Sequence, residues 1–189
     1  MAMPAIARTD WTVELLDALP DDGQRYEIID GELFVTPAPG YPHQFVLGEL
    51  YARIRAYLRG DSVGRVLFSP ADVRREDRAR NRVQPDLFVL RLTEGVLPPY
   101  PFALTDLLLA VEVASPSNAR YDYHTKRELY LAAGVPEYWV VSADARNISR
   151  WQGRDDPGEV LSRVIEWHPA GMAEPLVVDI DEMFEEALC

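Results

Sequence analysis

Two acidic residues lie inside stretches of the sequence that are otherwise apolar. Asp86 stands in VQPDLFVL and Glu112 stands in LLLAVEVA, and both stretches have the composition of β-strands. An ionised carboxylate is costly to bury unless a cation, a metal ion or hydrogen-bond donors compensate its charge. Lys126 follows in the next predicted helix. These three residues predict a divalent-metal site with a cation beside it, as in an enzyme that hydrolyses phosphodiesters.

The predicted strand around Glu112 gives its carboxylate room for a ligand. Alternate side chains of a strand share a face, so Glu112 lies with Ala110 and Ala114. These small neighbours leave space for a metal ion. The alternative is a structural ion pair with an arginine, since such pairs also occupy buried positions.

Asp86 is predicted to lie near one end of a sheet. The preceding Pro85 has no N–H to donate, so it belongs at the edge or the first residues of a strand. A turn or capping aspartate is the alternative. If the strands of Asp86 and Glu112 are neighbours, both carboxylates can converge on one ion, and Mg²⁺ or Mn²⁺ prefers such oxygen ligands.

Further residues could complete this site. Lys126 lies on the inward face of its helix and could stabilise phosphate charge or orient the attacking water, whereas pairing with Asp122 is the structural alternative. Glu27, in the first strand of a predicted hairpin, could complete the metal site, neutralise Lys126 or face solvent. His43, in the first-turn region of a long helix, could cap that helix or position water or phosphate.

The remaining pattern predicts a layered α/β (α+β) domain with a central mixed sheet flanked by helices. Asp30-Gly31 between two alternating runs predicts an N-terminal β-hairpin with a type I′ turn. Helices are predicted over residues 11–19 (capped by Thr9 or Asp10), 43–59 and 122–133. Strands are predicted over residues 63–73 (one or two), 83–90, 107–114, 136–142, 148–151, 163–167 and 176–180. We expect one domain over residues 1–189, with its core over about residues 11–180 and an acidic C-terminal tail.

The charge distribution gives mixed indications about nucleic acid. The net charge of −12 argues against tight binding, because nucleic-acid-binding proteins usually present a basic surface. The acidity is partly local, since residues 174–186 hold six acidic residues and no basic one, while residues 74–82 hold five arginines. The only cysteine is Cys189, and no apolar run is long enough to span a bilayer. We therefore expect a cytoplasmic protein with no membrane partner.

The ordered motifs resemble a known family over most of the chain, from about Trp11 to Ile180. They are YEIIDGEL, a histidine before a helix, QPDLFVL, VEVASPSNARYD, a lysine, and a tyrosine followed by GVPEYWVV. This series looks like the Uma-two family of restriction-endonuclease-like proteins, which belongs to the PD-(D/E)XK superfamily. The resemblance implies a restriction-endonuclease-like core with a central mixed sheet of about five strands, helices on both sides and an added N-terminal hairpin.

The resemblance also implies roles for individual residues. Asp86 would be the aspartate of the PD motif and Glu112 the second acidic residue, and both would bind the catalytic metal. The usual lysine, two residues after the glutamate, is replaced by Ala114, so its role would pass to Lys126. Glu27 would be an upstream acidic residue that lines the site, and Asp122 would have an orienting role.

Three functional hypotheses follow. The first is a Mg²⁺- or Mn²⁺-dependent endonuclease that acts on DNA. The second is a non-catalytic interaction module that keeps the fold, and it predicts that Asp86 and Glu112 pair with arginines instead of facing a shared cleft. The third is a nuclease for RNA or a smaller phosphodiester.

The aromatic and apolar residues of Tyr138-Trp139 and of the Leu47–Leu58 stripe are predicted to be core, although part of them could form a homodimer face.

Overall fold

The computed structural model describes residues 10–20, 22–36, 39–75, 79–115 and 118–188. The α-helices in these ranges are α1 (Val13–Asp17), α2 (Tyr41–Tyr57), α3 (Arg127–Ala132) and α4 (Ile180–Leu188), and a π-helix (Tyr121–Lys126) leads directly into α3. The strands are β1 (Arg25–Ile29), β2 (Glu32–Thr36), β3 (Gly64–Phe68), β4 (Val73–Arg74), β5 (Arg82–Val83), β6 (Leu87–Arg91), β7 (Phe102–Ala103), β8 (Leu107–Ala114), β9 (Tyr138–Ser142), β10 (Asn147–Trp151), β11 (Glu159–Leu161), β12 (Val164–Trp167) and β13 (Leu176–Asp179).

A six-stranded mixed sheet forms the centre of the molecule. Its strand order is β11-β10-β9-β8-β6-β3, and the β8–β9 pair is parallel while the other pairs are antiparallel. One face of the sheet packs against α2 and α4, and the other packs against α3 and a second sheet of order β2-β1-β5-β4-β7. Because β8 is covered on both faces, its continuous apolar sequence is what its position requires. The predicted layered α/β fold is confirmed, with six central strands instead of about five.

The N-terminal hairpin has the predicted turn. Asp30 and Gly31 both adopt positive φ, of 49° and 84°, as a type I′ turn requires. The register pairs Glu27 with Phe34, so the glutamate shares a hairpin face with apolar residues as expected. The prediction of one strand over residues 83–90 is wrong. Proline at position 85 lacks the N–H that a continuous ladder needs, and the chain passes from β5 in the second sheet to β6 in the central sheet.

The helices differ from their predicted forms at three places. Thr12, not Asp10, caps α1 by accepting a hydrogen bond from the N–H of Leu15, and the alternative cap Thr9 lies outside the described residues. The helix predicted over residues 122–133 is π-helical up to Lys126. The C-terminal segment is not a tail outside the core, because Met183 and Phe184 of α4 are fully buried. Its acidic residues lie on the exposed face of an amphipathic helix.

Candidate active site

Five of the six predicted site residues line one cavity of about 220 Å³. They are His43, Asp86, Glu112, Asp122 and Lys126. Strands β6 and β8 are antiparallel neighbours, and Leu87 pairs with Val111, so the residue before β6 lies beside the last residues of β8. The backbone N–H of Val113 donates to Asp86 Oδ2 at 2.9 Å. Strand pairing therefore brings two carboxylates together that are 26 residues apart in the sequence.

The Asp86 carboxylate is ionised and held by three donors. Arg25 Nη1 donates to Oδ1 at 2.7 Å, and His43 Nε2 donates to Oδ2 at 2.9 Å, in addition to the N–H of Val113. Burial alone would raise the pKa of Asp86, but His43 and Arg25 outweigh it and hold the pKa well below its usual value. Asp86 therefore stays negatively charged although it is only 3% exposed.

Glu112 is more deeply buried and its charge is less well compensated. Lys126 Nζ and the Tyr130 hydroxyl both donate to Oε1 at 3.0 Å. Burial raises the pKa of Glu112 well above its usual value, although Lys126 acts in the opposite direction. Nearby Asp86 raises this pKa further. Within the described residues, Oε2 accepts no hydrogen bond, so this oxygen is available to a ligand.

Lys126 forms ion pairs with two carboxylates, one on the central sheet and one on the N-terminal hairpin. Its Nζ lies 3.0 Å from Glu112 Oε1 and 3.1 Å from Glu27 Oε2, and Glu27 Oε1 accepts the backbone N–H of Gln84 at 2.7 Å. Burial would lower the pKa of Lys126, but Glu112 and Glu27 raise it above its usual value. Lys126 is therefore a permanent cation at neutral pH. Of the alternatives for Glu27, the structure shows contact with Lys126 and burial away from solvent.

Asp122 does not form an ion pair with Lys126, which was the structural alternative for this lysine. The π-helix bonds residue i to i+5, so residues four apart do not stack on one face as they do in an α-helix. The pKa of Asp122 is raised to about 7, mainly by burial and also by Asp86 and Glu27, against the opposite effect of Lys126. Asp122 thus adds a third carboxylate to the cavity with no cation of its own.

The donor set of this cavity fits a hard divalent cation. Among the described residues, carboxylates outnumber guanidinium and ammonium groups, since Asp86, Glu112, Asp122 and Glu27 lie beside Arg25 and Lys126 alone. A carboxylate oxygen can accept two hydrogen bonds, and in the described residues Asp86 Oδ1 accepts one and Glu112 Oε2 none. No group of three His, Cys, Asp or Glu is arranged to hold an ion in the part of the chain that is described. Two carboxylates with retained waters are a usual ligand set for Mg²⁺.

Two contacts of the site were missed from the sequence. Arg25, the partner of Asp86, alternates with Glu27 on β1 and therefore shares its face, which was a usable signal. Tyr130, the partner of Glu112, lies four residues after Lys126 on the same inward face. Each alone is a common residue in a common position, so neither indicates a site without its tertiary partner.

Two of the five arginines in residues 74–82, which were predicted as a local basic region, lie close to aspartates. Arg82 pairs with Asp17 and lies 3.5 Å from Asp72, and Arg74 lies 4.0 Å from the same two carboxylates. Arg78 lies outside the described residues. This segment is therefore not a free basic surface for nucleic acid at Arg74 and Arg82.

Comparisons with known proteins identify the family. A family model named Uma2 and described as "Putative restriction endonuclease" matches residues 13–177. The chain belongs to this family. A crystal structure described as a "putative nuclease belonging to DUF820", from Anabaena variabilis ATCC 29413, matches the Uma2 chain with a TM-score of 0.73. The two chains are 18% identical over 94% of this chain and 99% of the other, so this likeness shows the fold. No curated protein matches.

Membership of the Uma2 family supports a nuclease, and hence a nucleic-acid substrate. Restriction-endonuclease-like families generally use divalent metal ions, which agrees with the donor set of the cavity. Within the described residues, none of the helices of this Uma2 protein has the length and apolar composition needed to cross a membrane.

Proposed function

We propose that this Uma2 protein is a metal-dependent endonuclease that hydrolyses phosphodiester bonds of DNA. The observation that carries the proposal is the convergence of Asp86 and Glu112 in one cavity beside the buried ammonium of Lys126. Two carboxylates from neighbouring strands and a cation from the helix beside them supply what hydrolysis of a phosphodiester needs: ligands for a metal ion and a fixed positive charge.

Asp86 and Glu112 would hold Mg²⁺ or Mn²⁺ through Asp86 Oδ1 and Glu112 Oε2, the oxygens with acceptor capacity left. When bound, the ion would activate water and compensate phosphate charge. A divalent cation would also offset the excess negative charge of the cavity and favour the ionised forms of Glu112 and Asp122, whose pKa values burial raises.

The other residues would position these ligands and stabilise charge. Lys126 stays protonated, so it serves as a cation that holds Glu112 and attracts the phosphate, and it does not act as a general base. Glu27 fixes the lysine from the hairpin side. Arg25 and His43 orient Asp86 and line the cavity, which places a second cation near an incoming phosphate. Asp122 faces the same space and is a candidate to orient water.

The interaction-module hypothesis receives support from one contact only. Asp86 pairs with Arg25, as that hypothesis requires, but Glu112 pairs with a lysine and both carboxylates line one cavity. We therefore favour the nuclease.

We also propose that the family match over residues 13–177 corresponds to a single domain, which the helix α4 completes.

The proposal is tested by following the cleavage of supercoiled plasmid DNA with Mg²⁺ or Mn²⁺, with an RNA of matched sequence in parallel. Asp86→Asn and Glu112→Gln keep the size of each side chain and remove its charge, and each is expected to lower the cleavage rate by about 100-fold or more. Glu185→Gln, at an exposed position of α4, is the matched control and should leave the rate unchanged. The proposal fails if the wild type cleaves neither nucleic acid, or if the two site variants cleave as fast as the control.

A further inference from the structure

Helix α2 carries an exposed stripe of residues on the side that faces away from the core. Successive members are alternately four and three residues apart, which is a seven-residue repeat along one helix face. We call this set the α2 stripe: Tyr41, Phe45, Gly48, Ala52, Arg55 and, two residues beyond the end of the helix, Arg59. All six are exposed, and Tyr41 and Phe45 are 74% and 55% exposed although they are large aromatic residues. The rings of Tyr41 and Phe45 lie with their centroids 6.1 Å apart and form an exposed apolar patch, a feature common at interaction surfaces.

The residue types of the α2 stripe are arranged symmetrically about sequence position 50. Leu50 itself is buried and marks only the level of this centre along the helix. Each aromatic residue has an arginine at the same distance on the other side of residue 50. Tyr41 corresponds to Arg59 in this way, Phe45 corresponds to Arg55, and the small Gly48 corresponds to the small Ala52.

The arginine end of the α2 stripe forms a groove of about 400 Å³. Arg55 and Arg59 line it together with Arg65 of β3, and its other lining residues include Ala52 and Ala56. None of these three arginines forms an ion pair with another described residue, whereas Arg53 of the same helix pairs with two glutamates. Three guanidinium groups around one groove repel each other, so a group with a negative face would relieve that repulsion.

We propose that two copies of the chain associate through the α2 stripe, with their α2 helices antiparallel and a two-fold axis near Leu50. A two-fold interface must be self-complementary, and the mirrored spacing provides that property. Phe45 would then enter the groove beside Arg55 of the partner subunit, and Tyr41 would lie on Arg59 of the partner subunit, as cation–π pairs. Gly48 would face Ala52 of the partner subunit, where small residues allow the helices to approach closely.

A second copy accounts for more of the α2 stripe than a nucleic-acid strand does. Phosphates would explain the three arginines, but they give no reason for an aromatic residue at the mirrored position of both Arg55 and Arg59. The interface would also leave the candidate active site free, because His43 points to Asp86 on the core side of α2. The two copies of His43 would lie about 20 Å apart along the helix axes, from the rise of 1.5 Å per residue. The proposal does not depend on nuclease activity, since its test measures mass.

The test is sedimentation velocity of the full chain at micromolar concentration, where we expect a dimer. Gly48→Leu places a side chain at the proposed crossing point. In the monomer a Cβ at position 48 meets no atom within 4 Å, so the fold should be unaffected, as its thermal unfolding would verify. This variant should weaken dimerisation roughly tenfold or more. Glu185→Leu, which adds a leucine to an exposed position of α4, should remain as dimeric as the wild type.

Two charge variants of one position test the antiparallel register. Phe45→Glu and Phe45→Lys remove the same aromatic ring, but glutamate would face Arg55 of the partner subunit as an ion pair and lysine would be repelled by it. We expect Phe45→Glu to stay dimeric in low salt and Phe45→Lys to become monomeric. A monomeric wild type, a dimer that survives Gly48→Leu, or equal behaviour of the two Phe45 variants overturns the proposal. A monomer that binds an oligonucleotide through Arg55 would instead make the stripe a nucleic-acid surface.

Discussion

Lys126 Nζ lies 3.0 Å from Glu112 Oε1, although the lysine comes from a π-helix and the glutamate from a central strand. In the PD-(D/E)XK pattern the lysine would stand two residues after the glutamate, at the position of Ala114. Here the ammonium reaches the same carboxylate from another element, with Tyr130 on the next helical turn donating to the same oxygen. A π-helical turn is a common local feature of functional sites. The position of the cation therefore depends on how this helix packs against β8.

Replacing Lys126 with methionine should destabilise the fold strongly. The change leaves Glu112 and Glu27 buried without their shared cation, and breaking a buried ion pair in this way costs about 3–5 kcal/mol. The free energy of unfolding in urea measures this cost. Arg120→Met, an exposed change just before the π-helix, should stay within about 0.5 kcal/mol of the wild type.

The same measurement on a double variant tests the Lys126–Glu112 contact itself. Glu112→Gln removes one of the two charges that Lys126→Met leaves unpaired, so the double variant should lose less stability than the sum of the single variants. Additive losses would mean that the two side chains are not coupled, contrary to the contact at 3.0 Å.

The stability of the metal-free protein should fall as the pH rises towards neutrality because of Asp122. Burial raises the pKa of Asp122 to about 7, so the folded protein holds a proton there that the unfolded chain loses near its ordinary pKa of 3.8. Folding is therefore favoured by this group below pH 3.8, and that contribution is lost as the pH rises to about 7.

Asp122→Asn removes this titration. Between about pH 5 and about pH 8, the variant should lose roughly 1–3 kcal/mol less stability than the wild type. Urea unfolding in the presence of a chelator at both pH values measures the difference. Glu185→Gln, at an exposed position of α4, is the control. Equal pH dependence in Asp122→Asn and the wild type would contradict the assignment.

Binding of Mn²⁺ should release protons and should tighten as the pH rises. Burial raises the pKa of Glu112 well above its usual value, and a metal ion binds the ionised carboxylate, so at a pH below this raised pKa a proton must leave on binding. Calorimetric titrations in two buffers of different ionisation enthalpy count the protons released. Glu112→Gln should bind Mn²⁺ weakly and release fewer protons. Proton-independent binding in the wild type would show that Glu112 is not a ligand.

Local sequence signals predicted the parts of the fold that local physics determines. The run of residues 107–114, apolar except for Glu112, predicted the bounds of β8, and Asp30-Gly31 predicted the hairpin turn, because buried strands and type I′ turns each restrict composition. Pro85 favours the edge or the first residues of a strand, but this signal alone does not divide residues 83–90 between two strands. The division of this segment between two sheets depends on the pairing of β5 with β1 and of β6 with β8, and these partners are distant in sequence.

The site was predictable in its charged residues but only in part in their pairing, since the contact of Glu27 with Lys126 was one of three possibilities for that glutamate. Asp86, Glu112 and Lys126 were conspicuous because apolar neighbours make a charge expensive. The partner of Asp86 is Arg25, 61 residues earlier, and the partner of Lys126 is Glu27 on the same strand as Arg25. Such contacts follow from the packing of the hairpin onto the end of the central sheet, and no local pattern specifies that packing.

The central claim is that Asp86 and Glu112 bind one divalent metal ion. A crystal soaked in Mn²⁺ tests it most directly, because anomalous scattering locates the ion independently of the protein model. We predict a single site with oxygen atoms of both carboxylates at about 2.0–2.4 Å from the ion, the range of hard-cation ligands. Mn²⁺ bound elsewhere on the protein, while Asp86 and Glu112 keep only their contacts to Arg25 and Lys126, would contradict the account.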